Sequence, residues 1–382
     1  MKRCDLDALI ATAPVSVTYF SDYYLWLSPI FKQFMMDPGA PSNLDLSYAV
    51  LPREGDPALL VDPMTQTNAA ESWMCSPCDG RLVKGESGEN SLLQSLIETI
   101  QARGLSEADI GLEMEGMPSK DREVLERELP KIRFRDCSNL IRLIRMVKSE
   151  EELHRLERAA QIAEEAGAKS LALAAPGRPV QDLVQAFRAD VAQQGADFDH
   201  FAFSIHGAGL ATEPDYMLPA DESLFIDFGC IYRYYFSDTG TTLITGKLTR
   251  RDQDKYKIIV ESVIAGAEVM RPGVKASQVH QAMIQVLRKS SLTTEYAHGH
   301  GLGLEVRDYP ILVADNGKRI RDECVDVASD LLLEEGMVLN LESPLYYQQG
   351  HALHVERTFV VTDNSARPLV GQDRSMPLIC EP

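Results

Sequence analysis

Two spacings of apolar residues alternate along this chain and divide it into elements. Near the start, "LDALIAT" (6–12), "LSYAVLP" (46–52) and "PALLVD" (57–62) are short apolar runs that predict buried strands. "GENSLLQSLIETIQARG" (88–104) carries its apolar residues at helical spacing and predicts an amphipathic helix. The turn-rich stretch 76–90 separates these elements. "KSEEELHRLERAAQIAEEAGAKSLALAA" (148–175) predicts a long helix. Ser149 is placed to cap it, and Glu150 to Glu152 suit the positive end of its dipole. A domain boundary is expected just before it, near 138–147.

Beyond that helix the pattern repeats. "PGRPVQDLVQAF" (176–187) returns as "PGVKASQVHQAM" (272–283), an offset of 96 residues, with Pro-Gly, a helix start and a matching Gln-Ala. Such self-similarity predicts two related halves packed together. Each half then runs into strands: "SLFIDFG" and "FSDTGTTLITG" in the first, "GMVLNLESP" and "LHVERTFVVTD" in the second. Asp227 and Glu342 are expected at the same place in the paired strands, and Asp238 and Glu356 likewise. Each half would then supply two carboxylates from neighbouring strands.

Carboxylates set in apolar strands need compensation. A lone ionised acid there costs several kcal/mol or stays protonated. Four converging acids point to bound cations, and His300, between glycines in "GHGLGLEVRDYP" (299–310), adds a nitrogen donor. This donor set suits two divalent ions. Oxygen-rich ligation favours manganese first, with cobalt, iron(II) or zinc as alternatives. Two such ions ~3.5–4 Å apart generate hydroxide and polarise a carbonyl.

Composition narrows the partners. At 382 residues two domains are expected, and 45% apolar with 25% charged residues is ordinary for a globular protein. A formal charge of −19 argues against nucleic acid. No apolar run is long enough to span a membrane. The N-terminal stretch lacks a signal-peptide pattern, which predicts a cytoplasmic protein. The seven cysteines are scattered, and the single CxxC, Cys75 and Cys78, has no second pair at zinc-finger spacing.

"FIDFG...FSDTGTT", "GHGLGLEV", "GMVLNLESPLY" and "HVERTFVVT" resemble the metal-binding motifs of the creatinase/aminopeptidase P/prolidase family. The likeness runs over nearly the whole chain, since "LDALIATAPVSVTYFSDY" resembles the family's smaller domain. It implies an α+β architecture: a creatinase-like α/β domain over 1–140, then a pita-bread catalytic domain over 147–382 with two pseudo-symmetric αβ halves. It implies metal ligands at Asp227, Asp238, His300, Glu342 and Glu356, with Glu342 also helping to deprotonate the attacking water. It implies a homodimeric dinuclear hydrolase of Xaa-Pro bonds, acting on a short peptide or other small molecule.

The chain departs from the family pattern at Arg307, Asp215 and His354. Where its peptidases read "EVHE" this chain reads "EVRD", which puts Arg307 in place of a histidine. Where they tend to have "PH" ahead of the first metal strand, Asp215 follows Pro214. His354 stands where an arginine is common, two residues before the last glutamate. Arginine stays charged and cannot shuttle protons, but it clamps carboxylates well. Arg307 and Asp215 are therefore expected to bind substrate, and His354 to help Glu342 in proton transfer. Three readings stay open: an Xaa-Pro peptidase; a non-peptidase metalloenzyme acting on a small zwitterion resembling creatine, ectoine or a sulfoniopropionate; and a non-catalytic binding module. His206, His298 and His351 lie near the motifs, and the loop 23–45 is expected to cover the site or form a dimer interface.

Overall fold

The computed structural model describes residues 1–24, 47–61, 91–205, 208–211, 215–290, 296–347, 351–371 and 375–380. Two units are distinct: Met1–Ile144 with Arg319–Val327, and Arg145–Lys318 with Ala328–Pro382. Cys75, Cys78, His206 and most of the 23–45 loop lie outside the described residues.

In the first unit the chain runs β1 (Ala8–Ala11), α1 (Pro14–Ser21), β2 (Tyr48–Pro52), β3 (Ala58–Leu60), α2 (Ser91–Ala102), β4 (Asp109–Leu112), α3 (Ser119–Glu128), β5 (Arg133–Asp136) and α4 (Ser138–Arg145). The strands form one sheet in the order β3-β2-β1-β4-β5. Its central strand explains the continuous apolar run. Ala8 and Ile10 pack with Leu96 and Ile100 of α2 on one face. Leu9 and Ala11 pack with Val17 of α1 and Ile141 of α4 on the other. A strand covered on both faces has no polar side to display.

The second unit begins with α5 (Glu150–Leu171) and α6 (Val180–Gln193), followed by β6 (Asp197–Ile205), β7 (Ala208–Ala211), β8 (Glu222–Tyr232), β9 (Tyr235–Phe236) and β10 (Thr239–Thr245). A second helix pair follows, α7 (Arg250–Val269) and α8 (Ala276–Lys289). Then come β11 (His298–Gly301), β12 (Asp308–Leu312), β13 (Arg319–Arg321), β14 (Asp326–Ala328), β15 (Val338–Tyr347), β16 (His351–Val361), β17 (Ala366–Pro368) and β18 (Leu378–Cys380). The main path of the large sheet is β12-β11-β15-β16-β10-β8-β6-β7. Ser149 caps α5 as expected, in a reciprocal pair: its Oγ accepts from Glu152 N at 3.4 Å, and Glu152 Oε2 accepts from Ser149 N at 2.8 Å. Such a cap stabilises by about 1 kcal/mol.

The repeat seen in the sequence is a repeat of backbone. α6 and α8 each have 14 residues, and 276 − 180 gives the same offset of 96. Gly177 (φ +78°) and Gly273 (φ +85°) stand three residues before each helix in a left-handed conformation that other residues rarely adopt. Each glycine donates its N–H across to a later segment, Gly177 to Leu218 O at 2.8 Å and Gly273 to Leu333 O at 2.9 Å.

One departure was not foreseen. The stretch 147–382 was expected to be one domain, yet β13, most of β14 and their turn group with the first unit. Asp136 N donates to Glu323 Oε2 at 2.6 Å and Asn139 Nδ2 to Arg321 O at 3.0 Å. No helix among the described residues is long and apolar enough to cross a membrane.

Candidate metal centre

Strand register assembles the cluster. Reading across the sheet, Asp227 of β8 faces Gly240 of β10, Gly240 faces Glu356 of β16, Glu356 faces Glu342 of β15, and Glu342 faces His298 of β11. These residues form one row on one face. Residues two further along a strand share that face. The next row therefore holds His300 of β11, opposite Asn340 of β15, opposite Thr358 of β16. Asp238, just ahead of β10, joins this second row, and Thr358 Oγ1 donates to its carbonyl at 3.1 Å. Alternation thus explains why apolar strands carry charged residues at fixed points.

The side chains converge. His300 Nε2 lies 3.4 Å from Asp238 Oδ2 and 3.7 Å from Glu342 Oε1. His354 Nε2 lies 3.0 Å from Glu356 Oε2, and Asn340 Nδ2 donates to Glu356 Oε1. His298 Nε2 is 2.6 Å from Glu342 Oε1, and Arg307 Nη2 donates to that same oxygen at 3.2 Å. On the other flank His200 Nε2 lies 2.9 Å from Asp227 Oδ1 and 3.5 Å from Asp238 Oδ1. Three groups here have donor atoms close enough to share an ion: His200, Asp227 and Asp238; Asp238, His300 and Glu356; and Glu342, His354 and Glu356.

Crowded acids divide the available protons unequally. Burial, reinforced by the charges of Asp238, Asp227 and Glu342, pushes Glu356 well above the usual carboxylate range. Burial also raises Asp238, with the hydrogen bond from His200 opposing and the charge of Asp227 adding. For Glu342 burial acts upward, but the hydrogen bond and charge of His298, with the charges of His354 and His300, outweigh it and hold the carboxyl down to about 2. Burial opposes a charge on His200, yet hydrogen bonds to Asp199, Asp227 and Asp238 together raise its pKa.

His300 tests whether these residues suit a metal. Its Nδ1 is engaged with Gly301 O at 3.0 Å, while its Nε2 is buried without a hydrogen-bond partner. An orphaned buried polar atom costs about 1–3 kcal/mol. Ligands bound ~2.1 Å from one ion lie roughly 3.0–3.4 Å apart at right or tetrahedral angles. The 3.4 Å between His300 Nε2 and Asp238 Oδ2 matches that spacing. The donor set of carboxylates and imidazoles fits divalent cations.

The sequence model for metallopeptidase family M24 matches residues 154–363, more than half of the chain. The chain belongs to metallopeptidase family M24. The model for the creatinase/prolidase N-terminal domain matches residues 1–147. An Xaa-Pro dipeptidase of Pyrococcus furiosus is 23% identical over 250 residues, 64% of this chain and 68% of that protein. Among solved structures, an X-Pro aminopeptidase from Thermotoga maritima aligns with a TM-score of 0.80 at 18% identity, covering 98% of each chain. A prolidase from Pyrococcus furiosus aligns with a TM-score of 0.73 at 20% identity, covering 98% of this chain and 99% of that one. The fold is the pita-bread fold with a creatinase-like N-terminal domain, and an M24 protein is a metallohydrolase that uses divalent metal ions.

Within this M24 centre the structure brings Asp227, Asp238, His300, Glu342, His354 and Glu356 together, with Arg307 at its edge. Arg307 is 58% exposed. It closes the turn after His300, which is held at Asp308 by buried Arg145 (Nη2 to Oδ1, 3.4 Å). Asp215 is not drawn in. It is exposed, belongs to none of the three groups, and makes no ion pair with Arg307 among the described residues. The second acids also break the expected symmetry: Glu356 faces Glu342 directly, whereas Gly240, not Asp238, faces Asp227. His354 lies fully buried on the ring of Phe225, with centroids 3.7 Å apart. Sequence reasoning missed His200, Asp199 and Asn340, and gave His298 no role. The alternation of "HGHG" was the available signal for His298, since it puts His298 and His300 on one face.

Proposed function

We propose that this chain is a dinuclear Xaa-Pro peptidase whose preferred substrate is a dipeptide. The convergence of three buried acids, Asp238, Glu342 and Glu356, about the orphaned Nε2 of His300, with half-buried Asp227 beside Asp238, carries the reading. Asp227, Asp238, His300, Glu342 and Glu356 would hold the two ions, with manganese the first choice because oxygen donors predominate. Bound there, a metal pair acidifies a water and polarises the scissile carbonyl.

The remaining work falls to the chain's own residues. Glu342, kept ionised by His298, accepts the proton of the attacking water. His298, hydrogen-bonded to Glu342 and 19% exposed, is the partner to which that proton passes. His354 is fully buried and holds Glu356 in place, so it serves as a positioning residue. Arg307 presents its guanidinium beside Glu342 and receives the carboxylate at the C-terminus of a dipeptide, a geometry that a longer peptide does not offer at the same point. A permanently charged residue here also suits a second reading, a small zwitterionic substrate with an amide or similar bond. A cytoplasmic homodimer completes the proposal.

The test is elemental analysis after manganese loading, followed by a screen of Xaa-Pro dipeptides, Xaa-Pro tripeptides and small betaine-like compounds. About two ions per chain and selective dipeptide hydrolysis are expected. Absence of metal overturns the dinuclear reading. Turnover of betaine-like compounds alone selects the second reading.

A further inference from the structure

A histidine outside the motif set is built into the flank of this centre where Asp227 lies. β6 is irregular at this point. Phe198 pairs with Cys230 and His200 with Gly229, so Asp199 is an extra residue against β8. A bulge of this kind re-aims the side chains beside it. It turns His200 onto the face that holds Asp227, because Gly229 lies two residues beyond Asp227 on β8. The position opposite is vacated for it: a Cβ on Gly229 would lie 2.7 Å from His200 Cε1. Asp199 then fixes the ring, its Oδ2 lying 2.7 Å from His200 Nδ1. With Nδ1 engaged, Nε2 is the nitrogen left to face Asp227 and Asp238.

The spacing is that of a ligand shell. His200 Nε2 is 2.9 Å from Asp227 Oδ1 and 3.5 Å from Asp238 Oδ1. Ligands ~2.1 Å from one ion and at right angles lie about 3 Å apart. Asp238 stands between two imidazoles, Oδ1 towards His200 and Oδ2 towards His300. A carboxylate that backs an imidazole while the far nitrogen faces the metal is a common way to orient a ligand.

We propose that His200, oriented by Asp199, is a sixth protein ligand, giving the ion beside Asp227 its own nitrogen donor while His300 serves the other ion across Asp238. The proposal rests on the dinuclear reading above. Its chemical consequence is selectivity. An added imidazole favours cobalt, nickel and zinc over manganese at that position.

Cobalt(II) titration of the chelated full-length protein tests it, with calorimetry for stoichiometry and visible absorption for coordination. Wild type is expected to bind two ions. His200→Gln should bind one of them about 10–100-fold more weakly, with altered visible bands and a smaller preference for cobalt over manganese. Asp199→Ala keeps the ring but releases it, and should show a smaller loss in the same ion. It also decides the matter if His200→Gln does not fold. Asp227→Asn should lose that ion outright. Two ions in wild type, with affinities and spectra unchanged in His200→Gln or in Asp199→Ala, overturn this inference and leave the dinuclear reading standing. No cobalt bound by wild type overturns both.

Discussion

On β8, Asp227 faces a glycine; on β15, the matching Glu342 faces another acid. The first half moves its second acid, Asp238, two residues off that row and leaves Gly240 in its place. The second half keeps two long acids face to face and surrounds them with His298, His354 and Asn340. Had both halves followed one plan, four carboxylates would stand in a single line. The offset instead puts Asp238 in the neighbouring row, between His200 and His300. The repeated architecture supplies two matching strand pairs, and the departure from equivalence makes a row into an enclosure that fits cations.

Neutralising either second acid has the largest expected effect. Asp238→Asn and Glu356→Gln are each expected to lower hydrolysis by at least about 10³-fold, the scale of losing one preorganised electrostatic element. Elemental analysis should show metal lost in parallel. Retained metal with full activity in either variant would mean that the halves do not share ions.

Gly240→Ala attacks the vacancy itself. A Cβ there collides with His354 and approaches Glu356 Oε2 at 2.7 Å. Overpacking of this kind costs about 1–3 kcal/mol. A lower melting temperature and weaker metal retention are expected. Gly371→Ala, which has open space around it, should change neither and serves as the control.

Asn340→Ala sharpens the second half alone. It removes a hydrogen bond to Glu356 and should weaken metal affinity about 10–100-fold, read by calorimetry, with the fold intact. The smallest effect is expected at Arg307→Ala. An exposed ion pair contributes about 0.2–1 kcal/mol. A rise in KM for Xaa-Pro dipeptides of less than about tenfold, with kcat nearly kept, is expected. A large fall in kcat at constant KM would place Arg307 in the chemistry instead.

Much of this was legible in the sequence because the determinants repeat at a fixed spacing or alternate regularly. The Pro-Gly starts of α6 and α8, and acids embedded in apolar strands, are local signals of that kind. What escaped notice depends on irregularity. "FDHF" looks like ordinary strand alternation, and nothing in it announces that Asp199 is extra and that His200 thereby changes face. The offset of Asp238 escaped for a similar reason, since spacing within one strand does not fix register against the next. Asp215 was expected to bind substrate because it stands where the family tends to have a histidine, and a place in a motif does not fix the direction of a side chain. The hairpin of β13 and β14 is polar and short, with no period to mark it.

That hairpin constrains how the protein is made. The first unit consists of residues up to Ile144 and a piece that ends at Val327 of a 382-residue chain. A ribosome delivers the two parts far apart in time, with helices α5 to α8 and the first two acids, Asp227 and Asp238, of the other unit emerging between them. The N-terminal unit therefore cannot finish folding as a preliminary step, since its last contacts arrive only after the intervening residues of the other unit. An expression plasmid that stops at the apparent boundary would produce a body lacking the hairpin that bonds to Asp136 and Asn139, and one that starts there would carry that hairpin without those partners.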